Sequence, residues 1–188
     1  MNRQMIYRLW HTLRLWTILG SDKRAEYIKK HKLFRHIGNG CTIMERKVPL
    51  YSNLISIGDN VHLAAKVLLV PHDAIHLCLN GMGSTRVKEK IGCIEIGDNV
   101  FIGSNTTVLY DVKIGSNVII GAASLVNKDI PDNSVAVGVP AKVIGTFESI
   151  KKKRQEEKTY PDELIPIDHA IKKELEDWFW SDFHKRHG

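Results

Sequence analysis

The sequence predicts a mainly β protein, a parallel β-helix of hexapeptide repeats with an extended arm loop, flanked by N- and C-terminal helices. Three observations predict it. First, Ile96, Ile102, Val108, Ile114, Ile120 and Val126 recur every six residues, and Val100, Thr106, Val112, Val118, Ser124 and Ile130 follow each at four positions on. Second, Gly97-Asp98-Asn99, Gly103-Ser104-Asn105 and Gly115-Ser116-Asn117 place turn formers between these apolar pairs. Third, an earlier clean unit, Ile57-Gly58-Asp59-Asn60-Val61, is followed by Leu63 and Leu69, after which the six-residue register breaks before Ile96.

A period of six is neither that of a helix nor that of one long strand, so it marks an internal repeat. Val100 and Ile102 lie two apart and share one strand face, with Phe101 on the other. Each hexapeptide is then one short strand and one corner, at which Gly, Asn and Asp tolerate positive φ. Three hexapeptides close a triangular coil, and successive coils stack as parallel strands about 4.8 Å apart.

The elements follow in chain order. Residues 1–36 read as a helical cap. Ile6, Leu9, Trp10 and Leu13, followed by Trp16, fall at helical spacing and predict an amphipathic helix packed on its own protein, with peripheral membrane contact as the alternative. A second helix is predicted around Lys23–His31, and together they cover one end of the solenoid. Residues 37–148 form the β-helix domain, disturbed between Pro49 and Asn53. Its arm, about residues 72–93, contains Asn80-Gly81-Met82-Gly83-Ser84 and the charged run 86–90. Residues 149–188 read as a charged linker and a closing helix that carries Ile171, Leu175, Trp178 and Phe179 and starts at Asp168.

Composition sets bounds on function. The 188 residues are 43% hydrophobic and 26% charged, which excludes disorder as the overall state. The formal net charge of +6 suits anionic ligands, including phosphorylated cofactors, without indicating nucleic-acid binding. Arg8, His11 and Arg14 interrupt the apolar N-terminus, so no membrane span or signal peptide is expected there. Cys41, Cys78 and Cys93 are widely spaced and form no CxxC pair, which points to free thiols in a reducing, cytoplasmic setting.

The chemistry is expected where the coil gives way to the arm. His72 follows Val67-Leu68-Leu69-Val70-Pro71, at a rigid strand end beside a loop, and its intrinsic pKa suits a general base. Asp73 or another carboxylate could fix its tautomer. A lone histidine also has a structural reading, and His62 and His76 nearby leave a metal-binding reading open.

The hexapeptides 97–117, the arm-interrupted coil bearing His72, and the closing run from Lys128-Asp129-Ile130-Pro131 to Gly138-Val139-Pro140-Ala141-Lys142 together resemble the hexapeptide-repeat acyltransferases. The similarity is greatest to the maltose, galactoside and surface-polysaccharide O-acetyltransferase branch. What the resemblance implies is a left-handed β-helix assembled as a homotrimer, with active sites between neighbouring subunits. It further implies acetyl-CoA as co-substrate, no metal, and direct transfer to a carbohydrate hydroxyl with His72 as base and Asp73 beside it. Acetyl-CoA would meet Ser104, Ala122, Ala123, Asn127, Lys128 and Lys142. The position three after Lys142, basic in some relatives, is Gly145 here. Sugar acetyltransferases commonly carry an asparagine on the early coil facing the histidine, whereas this chain has Met44-Glu45-Arg46 there. Glu45 and Asn53 are the remaining acceptor candidates. Transfer to an amino sugar or a drug is an alternative, as are a metal hydratase resembling the γ-type carbonic anhydrases and a non-catalytic trimeric scaffold.

Overall fold

The computed structural model describes residues 3–83, 86–157, 159–167 and 170–188. Two compact units divide it, Met1–Ser149 and Ile150–Gly188.

The first unit opens with α1 (Arg3–Thr17) and α2 (Ser21–Lys30). The coil follows as β1 (His36–Ile37), β2 (Thr42–Ile43), β3 (Ile55–Ile57), β4 (Val61–Leu63) and β5 (Leu68–Val70). After an arm that carries α3 (Ile75–Met82), it resumes as β6 (Ile94–Ile96), β7 (Val100–Ile102), β8 (Thr107–Leu109), β9 (Val112–Ile114), β10 (Val118–Ile120) and β11 (Leu125–Val126). It ends in β12 (Ser134–Val137) and β13 (Lys142–Thr146), with α4 (Phe147–Glu156) after them.

The strands form three walls. The first runs β1-β3-β6-β9, the second β13-β12-β10-β7-β4-β2 and the third β11-β8-β5. Every pairing in them is parallel except β12 with β13. Side chains at the repeat positions point inward: Ile96, Ile102, Val108, Ile114, Ile120 and Val126 are all buried, as are their partners four residues on. Thr106 and Ser124 are polar members of that interior. Both hydroxyls donate to the Gly121 carbonyl, which satisfies them where they are buried.

The corners between the first and second walls show why Gly, Asp and Asn recur. Asn60, Asn99, Asn117 and Asn133 occupy the left-handed region, with φ of 55° to 57°. Their side-chain amides form a continuous ladder, each Nδ2 donating to the next Oδ1 at 2.9–3.0 Å. Glycine serves a different need from the predicted one, since Gly58, Gly97 and Gly115 do not take positive φ. A Cβ on Gly97 would lie 2.8 Å from the backbone of Gly115 and Ser116, so the next coil excludes any side chain there.

The N-terminal cap departs from expectation. α2 packs against β1 and β2, and the buried Arg24 closes the open end of the solenoid. Its guanidinium donates to the carbonyls of Ile43, Ile18 and Leu19 at 2.7–2.9 Å, covering the edge of β2 and the end of α1 together. In α1, however, His11 and Leu15 are the buried residues, while Ile6, Leu9, Trp10, Leu13 and Trp16 are exposed. The apolar stripe read from the sequence is real, but it faces away from the coil.

In the second unit, α5 (Lys173–His187) carries the buried Leu175, and Phe179 meets the Tyr160 ring edge-on at 5.4 Å. Ile171 precedes the helix and is exposed, and Asp168 lies outside the described residues. Among the described residues no helix is long and apolar enough to cross a membrane.

Candidate active site

The arm leaves and re-enters the coil at one corner, between the third and first walls. Asn99 meets Asn117 across a regular coil, 18 residues on, whereas Asn60 meets Asn99 across 39, because the arm is inserted in that coil. Its neck is a short antiparallel pairing of His72 with Ile91, where Gly92 N–H donates to Pro71 O and Asp73 N–H to Lys90 O, both at 3.0 Å. His72 is therefore fixed by backbone on both sides, one residue beyond the rigid end of β5 and Pro71.

Around His72 the contacts are aromatic and acidic. The Tyr51 ring meets the imidazole edge-on at 5.4 Å, and the Tyr51 hydroxyl donates to Glu89 Oε2 at 2.8 Å, tying the returning arm to the early coil. That bond holds the Tyr51 hydroxyl above its usual pKa. His72 Nδ1 is buried and has no hydrogen-bond partner among the described residues, as is also true of His76 Nδ1 on α3. A buried, unpaired ring nitrogen is rare enough to call for a functional account.

Asp73 does not supply that partner. Tyr110 donates its hydroxyl to Asp73 Oδ2 at 2.7 Å, and Ile75 N–H donates to Oδ1 at 3.1 Å, so both oxygens organise the base of the arm. The Tyr110 hydroxyl bond, first among several causes, holds the Asp73 carboxyl below the ordinary carboxylate range. This link joins residues 37 apart in sequence, and no local pattern announces it. The same holds for Tyr51 and Glu89, at 38 apart, which sequence reasoning also missed.

Beside His72 lies a cavity of about 360 Å³ within the first unit. Its walls are mostly apolar, from Leu15, Phe34, Ile43, Val48, Leu63 and Leu69, with Arg8, Glu45, Lys47 and His72 as polar members. Glu45 is thus placed with His72, although its Oε1 accepts from the backbone N–H groups of Arg46 and Lys47 at 2.8 and 3.0 Å. Asn53 is exposed in the turn Ser52–Leu54 and does not line this cavity.

The residues expected to hold the co-substrate lie elsewhere on the prism. Ser104, Ala122 and Ala123 occupy successive corners between the second and third walls, where Ala123 N–H donates to Ser104 O at 2.8 Å. The run Gly138–Ala141 adds one more layer there, with Leu125 N–H donating to Gly138 O and Ala141 N–H to Leu125 O. Lys142 follows directly at the start of β13 and is exposed. Asn127 and Lys128, also exposed, sit at the far end of the third wall, on the edge from which His72 emerges. One chain therefore splits the expected residues between two edges, separated by a three-residue strand of roughly 10 Å. His62, one of the histidines of the metal reading, bonds Thr42 and Asn60 instead, at 2.9 Å each. Among the described residues no group of three His, Cys, Asp or Glu side chains is placed to hold a metal ion.

Comparison with known proteins adds to this geometry. Residues 93–128 match the family model described as bacterial transferase hexapeptide (six repeats). Protein CapG of Staphylococcus aureus is 38% identical over 143 residues, covering 72% of this chain and 80% of CapG. Galactoside O-acetyltransferase of Escherichia coli (strain K12) is 45% identical over 91 residues, covering 48% of this chain and 43% of that protein. Apart from CapG, the chain spans about half the length of the first curated relatives it matches, at 55% and 43%. A galactoside acetyltransferase solved in complex with coenzyme A superimposes with a TM-score of 0.55 at 28% identity, covering 86% of this chain and 90% of that one.

Proposed function

Because the chain belongs to the bacterial hexapeptide-repeat acyltransferase family, we propose that it transfers the acetyl group of acetyl-CoA to a hydroxyl of a carbohydrate, with His72 as general base. The observation that carries this reading is the placement of His72. The arm neck clamps its backbone at the rim of a cavity large enough for part of an acceptor, and its Nδ1 is uncommitted among the described residues. The galactoside acetyltransferase solved with coenzyme A supports both the co-substrate and the acceptor class.

In this mechanism the imidazole takes the proton of the acceptor hydroxyl as its oxygen attacks the thioester carbonyl. The tetrahedral intermediate collapses, the C–S bond breaks, and the imidazolium returns the proton to the departing thiolate. No acyl-enzyme forms. Held geometry and a positioned imidazole base supply the acceleration, since a sugar hydroxyl is almost wholly protonated at pH 7. Asp73 acts on His72 chiefly by anchoring the base of the arm. Glu45 faces the acceptor across the cavity, and Asn53 contacts the part of the acceptor that extends beyond it.

The co-substrate lies along the corner of Ser104, Ala122 and Ala123, where small side chains admit the pantetheine arm close to the backbone. Asn127 lines its path, and Lys128 and Lys142 meet its phosphates as point charges. These groups lie on two different edges of one prism, so the working site forms between copies in a homotrimer of left-handed coils, one edge from each neighbour. No metal takes part. The free thiols Cys41, Cys78 and Cys93 fit a cytoplasmic enzyme, and modification of a surface polysaccharide is the setting in which such a transfer is placed.

Calorimetric titration with acetyl-CoA tests the reading before any acceptor is chosen. The expected outcome is saturable binding near one site per chain, competed by free CoA. Folded protein that takes up no acetyl-CoA overturns it. Thiol release with a panel of glycan acceptors then identifies the hydroxyl.

A further inference from the structure

The outer face of α1 is apolar, basic along one edge and turned away from the coil. Met5, Ile6, Leu9, Trp10, Leu13 and Trp16 share one side of the helix, and Trp10, Leu13 and Trp16 are 52%, 58% and 61% exposed. The opposite side is the one that packs, through His11 and Leu15. An ordinary surface helix does the reverse, burying its apolar stripe and presenting its polar side to water. The packed side is secured by polar groups instead: His11 Nδ1 bonds the Tyr27 hydroxyl at 2.8 Å, and Thr12 Oγ1 accepts from Val48 N–H at 3.2 Å.

We propose that this face docks α1 on the surface of a bilayer containing anionic phospholipid. Charge complementarity selects that occupant. α1 carries Arg3, Arg8 and Arg14 and no acidic residue, and on a helical projection Arg3 and Arg14 border the apolar stripe on one side. Tryptophan, tyrosine and arginine around an aliphatic stripe are the composition of a helix lying in the headgroup layer. A second copy docking α1 on α1 is a poorer occupant, because it would bring arginines against arginines with no carboxylate on either helix to pair them.

The placement also bears on the acceptor. Arg8 and Leu15, on the inner side of α1, line the cavity that holds His72. A bilayer against the outer side would therefore lie within about one helix diameter, roughly 10–12 Å, of that cavity. Resting on the proposed acetyl transfer, this geometry assigns the acceptor to the class of membrane-anchored glycans, presented from the bilayer surface to a largely apolar cavity.

Flotation of the full-length protein with vesicles tests the docking without any acceptor. The protein is mixed with phosphatidylcholine vesicles containing phosphatidylglycerol, or with phosphatidylcholine vesicles alone, at low and at 0.5 M salt. Binding is expected with the anionic vesicles, weaker in salt, and much reduced with the zwitterionic ones. The double variant Trp10→Glu/Leu13→Glu changes only exposed positions, and it should lower the vesicle-bound fraction about tenfold or more while melting and acetyl-CoA binding stay as in the wild type. Wild-type protein left unfloated by anionic vesicles overturns the proposal, as does a double variant that floats equally well. So does a double variant whose mass in sedimentation falls, because the face then belongs to a protein interface. Unchanged acetyl-CoA binding throughout keeps failure of the docking separate from failure of the transferase reading.

Discussion

The corner between the first and second walls and the corner between the third and first walls face the same structural problem and solve it in opposite ways. At the former, Gly58, Gly97 and Gly115 let successive coils touch, and Asn60, Asn99, Asn117 and Asn133 bond one to the next without interruption. At the latter, the regular corner of Tyr110 and Asp111 is preceded one coil earlier by an opening between Pro71 and Gly92, through which the whole arm leaves. The closed corner pairs its polar groups. The open one leaves His72 Nδ1 and His76 Nδ1 buried and, among the described residues, unpaired. Stacking consumes hydrogen-bonding capacity, so uncommitted polar groups are left where stacking is broken.

Substitution at each corner tests that contrast. At the open corner, His72→Ala should lower kcat by about two orders of magnitude or more, the usual scale for a general base, with acetyl-CoA affinity and melting unchanged. Steady-state kinetics beside a calorimetric titration reads both, and a retained kcat removes His72 from the chemistry. At the closed corner the effect should fall on stability. Gly97→Val places a Cβ against Ser116 Oγ at 2.6 Å and the Gly115–Ser116 backbone at 2.8 Å, a clash expected to cost about 3 kcal/mol. Gly81→Ala is the control, since nothing lies within 4 Å of the added Cβ. Urea unfolding midpoints decide it: a Gly97→Val protein as stable as the control would show that close approach is not what glycine provides.

How far the sequence foretells these corners follows from the range of each interaction. The coil is legible because its pattern is local: every sixth inward residue from Ile96 to Val126 is buried, and a break in that count locates the arm. What joins the arm to the coil is not local. Tyr110 with Asp73, and Tyr51 with Glu89, meet only once the coils have stacked, so the sequence suggests Asp73 as a partner for His72 when its carboxylate is already taken. In α1 the period reveals an apolar stripe but not its direction. Direction depends on the anchoring of His11, Leu15 and Thr12 and on the capping of Ile18 and Leu19 by Arg24, none of which carries a sequence signal of its own. For the candidate site, the position of His72 at the mouth of the arm is legible, and its surroundings are not.

The smallest expected effect concerns the joint between the two kinds of corner. Tyr110 belongs to a regular coil, yet its hydroxyl reaches Asp73 at the base of the arm. That bond lowers the Asp73 pKa in the folded protein, so its contribution to anchoring the arm is fully present above the unfolded-state value of about 3.9. It is lost as pH falls through the lower folded-state value. Tyr110→Phe removes the donor and should move the Asp73 titration midpoint upward toward the ordinary carboxylate range, as read from the side-chain carboxyl ¹³C shift. Ile75 N–H remains as a second donor, so the arm should loosen rather than detach, and kcat should fall only a few-fold. An unmoved midpoint would show that Tyr110 does not hold the carboxylate, and the open corner would then owe its shape to the neck pairing of His72 with Ile91 and to the Tyr51–Glu89 bond.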